Sequence, residues 1–282
     1  YKAGLSQLLP EILKDLNTRR LGFEADGISY AGFKKISQQV EKTNPEVVFV
    51  DADGMLADIR SCKDTSELSA IQRALDLAEA AFGAFLADDL APGISEKDAA
   101  WMIEKRMRKA GADGLAFPVI AAFGENSALP HAQCGDKKLE VGQPILLDWG
   151  AKIDGYCSDI SRSFVLGKAD SKHKKVHRTV YEAQQRAIAT VKPGVAARTV
   201  DAVARDYIDK AGFKDKFGHG LGHGVGLAVH EAPRVSFASE AILEEGMVFT
   251  VEPGIYLPGW GGVRLENMVV VRADGEIGRA HV

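Results

Sequence analysis

Asp148, Asp159, His223, Glu252 and Glu266 punctuate the second half of this chain, each in a short strand-like or glycine-rich setting that would expose its side chain. Four carboxylates supply hard oxygen donors that can bridge two cations. One imidazole adds a borderline donor of the kind that Mn, Co, Fe or Zn accepts and Mg or Ca seldom needs. The mixture points to a two-metal hydrolytic centre. Acids are depleted from strands, and these four sit among large apolar neighbours, which favours ligands over ordinary solvated strand positions.

The elements that would carry them read as two ribbons. Asp148 lies in the apolar run PILLDWGA (Pro144 to Ala151) and Asp159 in YCSDISRSFVL (Tyr156 to Leu166), with Asp154-Gly155 between them as a hairpin-turn signal. A two-residue turn pairs Ile153 with Tyr156, so that Asp148 faces Ser161 and Asp159 is its diagonal neighbour; a four-residue turn sets the two Asp directly opposite. Either register leaves both carboxylates on one side, with backbones within about 8 Å of each other. Glu252, in MVFTVEP, and Glu266, in GVRLENMVVV, repeat the design around a loop centred on Gly259, which would set the two Glu opposite one another.

With 282 residues, 46% of them apolar, and a net charge of −4, the chain is long enough for one large or two modest domains and offers no basic groove for nucleic acid or an anionic membrane. No apolar run is long enough to span a bilayer, and no signal-peptide pattern opens the chain. The three cysteines, Cys62, Cys134 and Cys157, are too few and too irregularly spaced for a disulfide framework and suit a reducing cytoplasm. Cys157 reads as a bystander in the site wall rather than a thiolate nucleophile. The start at Tyr1 without Met suggests that residues precede it, and Gly278 to Val282 reads as a truncated tail.

Residues 1–60 read as a small αβ piece: helices over Leu5 to Arg19 and Ser29 to Lys42, strands over Arg20 to Glu24 and Glu46 to Val50. Asp64-Thr65-Ser66-Glu67 is a capping box that opens a helix with Leu68, Ile71, Leu75, Ala78, Phe82 and Phe85 on its core side. A second helix runs from Ser95 to about Arg108, followed by a strand near Phe117 to Phe123 and the Asp ribbon. The order then recurs: helices near Lys172 to Thr190 and Ala197 to Lys210, a strand-like stretch around His223 to His230, and the Glu ribbon. Two helices, a strand and an acid-bearing hairpin, occurring twice, imply an internal pseudo-twofold with the metal centre on its axis.

Four of the seven histidines collect near the proposed centre: His131, His219, His223 and His230. Five glycines in GHGLGHGVG would clear space for a close approach of substrate or metal. His173 and His177, in a Lys-rich stretch, and His281 in the tail read as surface residues. Phe117, Tyr156 and Trp260 suit either the wall of a proline pocket or ordinary packing.

The segments GENSALPHA, LLDWGAKIDGYCSDISRSF, HGLGHGVGLAVHEAP and VFTVEPGIYLPGWGGVRLEN resemble the signatures of the M24 metallopeptidases, the pita-bread family of methionine aminopeptidases, Xaa-Pro aminopeptidases and Xaa-Pro dipeptidases (prolidases). The likeness covers about residues 64 to 272. It implies an α+β pita-bread domain over 64–282, preceded at 1–60 by the latter part of a creatinase-type N-terminal domain, which favours the proline-directed branch. It further implies that Asp148, Asp159, His223, Glu252 and Glu266 hold two divalent ions, Mn or Co first and Zn or Fe next, and that a bridging water becomes the hydroxide nucleophile.

Glu252 is then the candidate proton shuttle, and His131 and His230 the candidates that hydrogen-bond the scissile carbonyl and the oxyanion. His219 would contact substrate or support a ligand, and Arg264 would hold a ligand carboxylate or a ligating acid, or orient Glu266. The implied substrates are small peptides with proline second. A homodimer is compatible with the resemblance, as are two other readings: a broader aminopeptidase that removes methionine, and a binding module that keeps the fold alone.

Overall fold

A computed structural model describes residues 4–272 and 277–279, and the chain divides into two units, residues 1–59 and 60–282. In the first, helix α1 (Leu5–Asp15) and strand β1 (Arg20–Phe23) precede helix α2 (Tyr30–Thr43) and strand β2 (Val48–Asp51). β1 and β2 pair in parallel, which requires a crossover, and α2 supplies it. Leu13, Val40 and Val47 form the small core. The first helix stops at Asp15, short of the expected Arg19, because Asn17 takes a left-handed φ of 49° and the Thr18 amide turns back to the Leu13 carbonyl at 2.9 Å.

The division falls within the short helix α3 (Ala57–Ser61). Helix α4 (Thr65–Asp88) then opens on the predicted capping box: Asp64 Oδ1 accepts from the Ser66 and Glu67 amides, and Glu67 Oε2 accepts from the Asp64 amide at 2.8 Å. Its inner face buries Ile71, Leu75, Ala78 and Phe85, with Leu68 and Phe82 half-buried beside them. Ser95 caps helix α5 (Glu96–Lys109) by accepting from the Asp98 amide. Strands β3 (Gly114–Leu115) and β4 (Ile120–Phe123) follow; β4 begins later than the expected Phe117, past Pro118, which has no amide to give a ladder.

The Asp ribbon comprises β5 (Pro144–Trp149), β6 (Ala151–Ile153), β7 (Tyr156–Cys157) and β8 (Ile160–Val165). Asp154 and Gly155 turn it with φ of 50° and 85°, the positive pair that a two-residue hairpin turn needs. Ile153 faces Tyr156 and Asp148 faces Ser161, so the tighter of the two registers is the one adopted.

The second half comprises helices α6 (Ser171–Ile188) and α7 (Ala197–Ile208), strands β9 (Gly222–Gly224) and β10 (Glu231–Val235), and the Glu ribbon, β11 (Val248–Val251), β12 (Gly254–Leu257), β13 (Gly261–Arg264) and β14 (Asn267–Val271). A last strand, β15 (Ile277–Arg279), pairs with β14. The strand expected to run on to His230 ends at Gly224. Val251 faces Asn267 and Gly254 faces Arg264, so one register runs across the break that holds Glu252 and Glu266 and sets them opposite one another.

The two halves repeat bond for bond. Gly93 N donates to Leu139 O at 2.8 Å and Leu139 N to Ile94 O at 2.9 Å; Gly194 N donates to Leu243 O, and Leu243 N to Val195 O, at 2.8 Å each. Gly142 N to Leu166 O and Gly246 N to Val271 O, both 2.9 Å, close the two ribbons alike. Each half has its own core, one built on α4, α5 and the Asp ribbon, the other on α6, α7 and the Glu ribbon.

Packing by itself requires glycine at two of the positions around His223. A Cβ on Gly222 would overlap the Thr250 carbonyl, and one on Gly224 the Ala232 carbonyl. Gly222→Ala is therefore expected to displace β9 and lower the thermal unfolding midpoint by several degrees. Gly218→Ala, with open space at that Cβ, should melt like the parent; equal melting of both variants would show that the close approach is not rigid.

Candidate metal centre

Three of the four acids enter the centre where a ribbon gives up its ladder. Asp148 belongs to β5, but Asp159 lies between β7 and β8, Glu252 between β11 and β12, and Glu266 between β13 and β14. The amides released at these breaks find other partners: Glu252 N donates to Leu221 O at 2.8 Å and Glu266 N to Ser161 O at 3.1 Å. The main chain stays paired while the carboxylates turn inward.

All five predicted ligand residues line one cavity of about 1650 Å³. Donor atoms of Asp159, His223 and Glu266 lie within 4.8 Å of one another. His223 Nε2 is 3.6 Å from Asp159 Oδ2 and 3.3 Å from Glu252 Oε1. Its Nδ1 is 3.1 Å from the Gly224 carbonyl. Burial works to lower the His223 pKa, but the Glu252 hydrogen bond and charge outweigh it and raise that pKa, so without metal Nε2 holds a proton toward the carboxylates. Loss of that proton, with Nδ1–H kept on the Gly224 carbonyl, gives the tautomer a metal ligand needs.

Arg264 is the cation at the heart of this group. It lies on β13, buried, and its Nη2 donates to Asp148 Oδ2 at 2.6 Å and its Nε to Ser161 Oγ at 2.9 Å. Its Nη1 reaches the Pro130 carbonyl at 3.0 Å and the Tyr256 hydroxyl at 3.1 Å. It thus grips the ligating acid Asp148 directly and reaches Glu266, the acid that the sequence offered for it to orient, only through Ser161, whose hydroxyl donates to Glu266 Oε2 at 2.6 Å. Thr250 likewise joins two ligands, accepting from His223 N and donating to Glu252 Oε1, each at 3.1 Å.

Charge remains unbalanced. Burial, then repulsion from Glu266, Asp148 and Glu252, pushes the Asp159 carboxyl well above its usual range, and burial with Glu252 and Asp148 does the same for Glu266. Burial also raises Asp148, with Arg264 opposing it. Glu252 moves the other way: burial works to raise it, but the His223 hydrogen bond and charge outweigh this and hold it below its usual value.

The donor set fits divalent cations. Asp148 Oδ1 is buried with no hydrogen-bond partner among the described residues, and the four carboxylates outnumber Arg264 and His223, the basic groups paired with them. Such an excess of anion among largely buried side chains calls for positive charge.

His131, His219 and His230 lie on the same cavity wall. His131 and His230 are exposed to it, and the His230 ring sits 4.2 Å from that of His223, centroid to centroid. His219 has both ring nitrogens engaged, Nδ1 with the Gly220 carbonyl at 2.8 Å and Nε2 with the Tyr256 hydroxyl at 2.9 Å. Burial pushes that hydroxyl up to about 12.

Comparison with known proteins places this geometry. Metallopeptidase family M24 matches residues 69–273, and the Creatinase/Prolidase N-terminal domain matches residues 1–62.

The chain belongs to metallopeptidase family M24.

It is 40% identical to the Xaa-Pro dipeptidase of Pyrococcus furiosus over 94% of this chain and 74% of that one. Among solved structures, the Xaa-Pro dipeptidase from Bacillus anthracis superposes with a TM-score of 0.94 at 38% identity, covering 99% of this chain and 77% of its own. The X-Pro aminopeptidase from Thermotoga maritima MSB8 gives 0.91 at 38% identity, covering 100% and 79%. The chain thus spans about three quarters of the length of these relatives. As an M24 protein it has the α+β pita-bread fold and depends on divalent metal.

Several expectations outside the ligand set need correction. His173 is buried, not on the surface: it shares the inner face of α6 with Val176, while Lys172, Lys174 and Lys175 take the outer one. Trp260 packs against His173 with Lys172 over its ring, and the Tyr156 hydroxyl donates to Glu67, so of the three aromatics weighed as pocket walls only Phe117 lines the cavity. Cys157 is buried in the core of the first half rather than in the site wall. His281 lies outside the described residues. Ser161, Thr250 and Tyr256 were not singled out from sequence, though the tight ribbon register already set Ser161 across from Asp148 and strand alternation set Thr250 on the side of Glu252.

Removing one partner of a buried ion pair strands the other. Arg264→Met is accordingly expected to destabilise the metal-free protein by about 3–5 kcal/mol, read from urea unfolding in a chelator. Unfolding coincident with that of the parent would mean that Asp148 does not need its counter-ion.

Proposed function

We propose that this chain hydrolyses the peptide bond between an N-terminal residue and a following proline, with Asp148, Asp159, His223, Glu252 and Glu266 holding two divalent cations. The observation that carries the reading is the meeting of these five side chains, drawn from β9 and two separate ribbons, in one cavity of an M24 chain. One imidazole among four carboxylates favours Mn or Co, with Zn or Fe as alternatives. Cations held there would supply acidification of a water and polarisation of the scissile carbonyl.

The protein's own groups do the rest. Glu252 Oε1, beside His223 Nε2, takes the proton of the attacking water and delivers it to the leaving proline nitrogen. His131 and His230, on the cavity wall, donate to the scissile carbonyl and to the oxyanion that replaces it. His219, with both ring nitrogens bonded, acts through Tyr256 as a support for Arg264 rather than as a free donor to substrate. The three unpaired cysteines suit a reducing, cytoplasmic setting.

Arg234 bears on the choice between dipeptides and longer peptides. It is the cross-strand partner of His223, so both side chains leave the same face of the sheet, and it lines the cavity with its side chain exposed. A guanidinium there suits the C-terminal carboxylate of an Xaa-Pro dipeptide. The volume of the cavity, about 1650 Å³, is larger than a dipeptide needs and favours a second reading, in which longer Xaa-Pro peptides are trimmed.

Protein reconstituted with Mn or Co is expected to cleave Ala-Pro, and cleavage of Met-Ala-Ser but neither Ala-Pro nor Ala-Pro-Ala would overturn the proline-directed reading. Arg234→Met should raise KM for Ala-Pro roughly tenfold or more while leaving the amide Ala-Pro-NH2 almost unaffected, since only the carboxylate uses the charge. Equal changes for both would remove Arg234 from that role.

A further inference from the structure

Glu96, at the first position of α5, is 0% exposed yet pairs with N–H groups rather than with a cation. Its Oε1 accepts from Phe123 N and from Asn126 Nδ2, each at 2.9 Å, and its Oε2 accepts from Gly135 N at 2.9 Å. Phe123 and Gly135 are the two ends of the segment that brings His131 to the cavity. Main-chain amides of the same helical turn complete the hold, Glu96 N donating to Lys137 O and Lys97 N to Gly135 O, both at 3.1 Å.

A buried carboxylate is costly unless it is well solvated by the protein. Three charge-assisted bonds and the positive end of α5 meet that need here. An apolar side chain could fill the same space, but it would set neither the separation of the loop ends nor their orientation. The second half uses a similar device. Asp201 on α7, also 0% exposed, accepts from Leu221 N at 3.0 Å and from Arg205 at 2.8 Å, and Arg205 donates to the His219 carbonyl at 2.8 Å. In both halves the second helix ties down a histidine-bearing segment through a buried acid.

We propose that Glu96 is a positioning residue for His131, fixing how far the imidazole projects into the cavity. The inference rests on the reading of His131 as a donor to the scissile carbonyl. It gives Glu96 a role in the turnover step, where a displacement of about 1 Å in a reacting group costs on the order of a hundredfold in rate.

The test is a double-mutant cycle on the full chain reconstituted with Mn, assayed with Ala-Pro. Glu96→Gln keeps the size of the side chain but turns an amide NH2 toward N–H donors; kcat is expected to fall roughly 10- to 100-fold, with KM little changed. In a His131→Ala background the same substitution should cost almost nothing further. Asn126→Ala, which removes one of the three bonds, should give a smaller loss that also vanishes in that background, and it carries the cycle should Glu96→Gln fail to fold. Losses that multiply with that of His131→Ala would overturn the proposal, since Glu96 would then act only on general stability, and an unchanged kcat in Glu96→Gln would do so too. An unchanged kcat in His131→Ala is a separate result, which removes the reading of His131 and the proposal together.

Discussion

Four carboxylates turned toward one another at the wall of one cavity, and largely shielded from water, are the condition to which the rest of the chain is fitted. Each has lost much of its water and each repels the others, so nothing in their own interactions draws them together. The covalent ribbons do so instead. Register sets Asp148 across from Ser161 and Glu252 across from Glu266, and the ladder breaks free three of the acids from the flat pleat. The helices outside, α4 and α5 on one half and α6 and α7 on the other, bury the apolar faces that make the ribbons rigid enough to hold this charge.

Arg264 serves both halves at once. Its five donors are planar and fixed in direction, so one side chain can bind Asp148 and Ser161 on the Asp ribbon, the Pro130 carbonyl beside His131, and Tyr256, which in turn holds His219. A lysine at the same place would supply the charge without the geometry. The histidine-bearing segments are therefore tied to the charge cluster and, separately, to buried acids on α5 and α7.

What could be read in advance was what depends on neighbours along the chain. The Asp154-Gly155 turn, the symmetry of the Glu ribbon about Gly259 and the capping box at Asp64 are local signals, and the structure keeps them. The ligand set is legible in residue chemistry and ribbon spacing, and the resemblance to M24 chains implies the same five residues. What sequence left hidden depends on residues far apart. Gly222 is glycine because of Thr250, Arg264 points to Asp148 on the other ribbon, and His173 is buried because one face of a Lys-rich helix turns to Trp260. The end of α1 was a local miss, since an Asn that adopts left-handed backbone gives a weaker signal than glycine would.

The ribbons also constrain how such a chain can lengthen or shorten over evolutionary time. Side chains alternate sides with every residue, so one residue added between Asp148 and Ile153, or between Glu252 and Leu257, would swing the acid to the far side of the sheet unless the opposing strand gained one as well. The tips at Asp154-Gly155 and Pro258-Gly259-Trp260 carry no such restriction. Insertions and deletions tolerated by this architecture should therefore gather at the hairpin tips, while the stems keep a constant residue count.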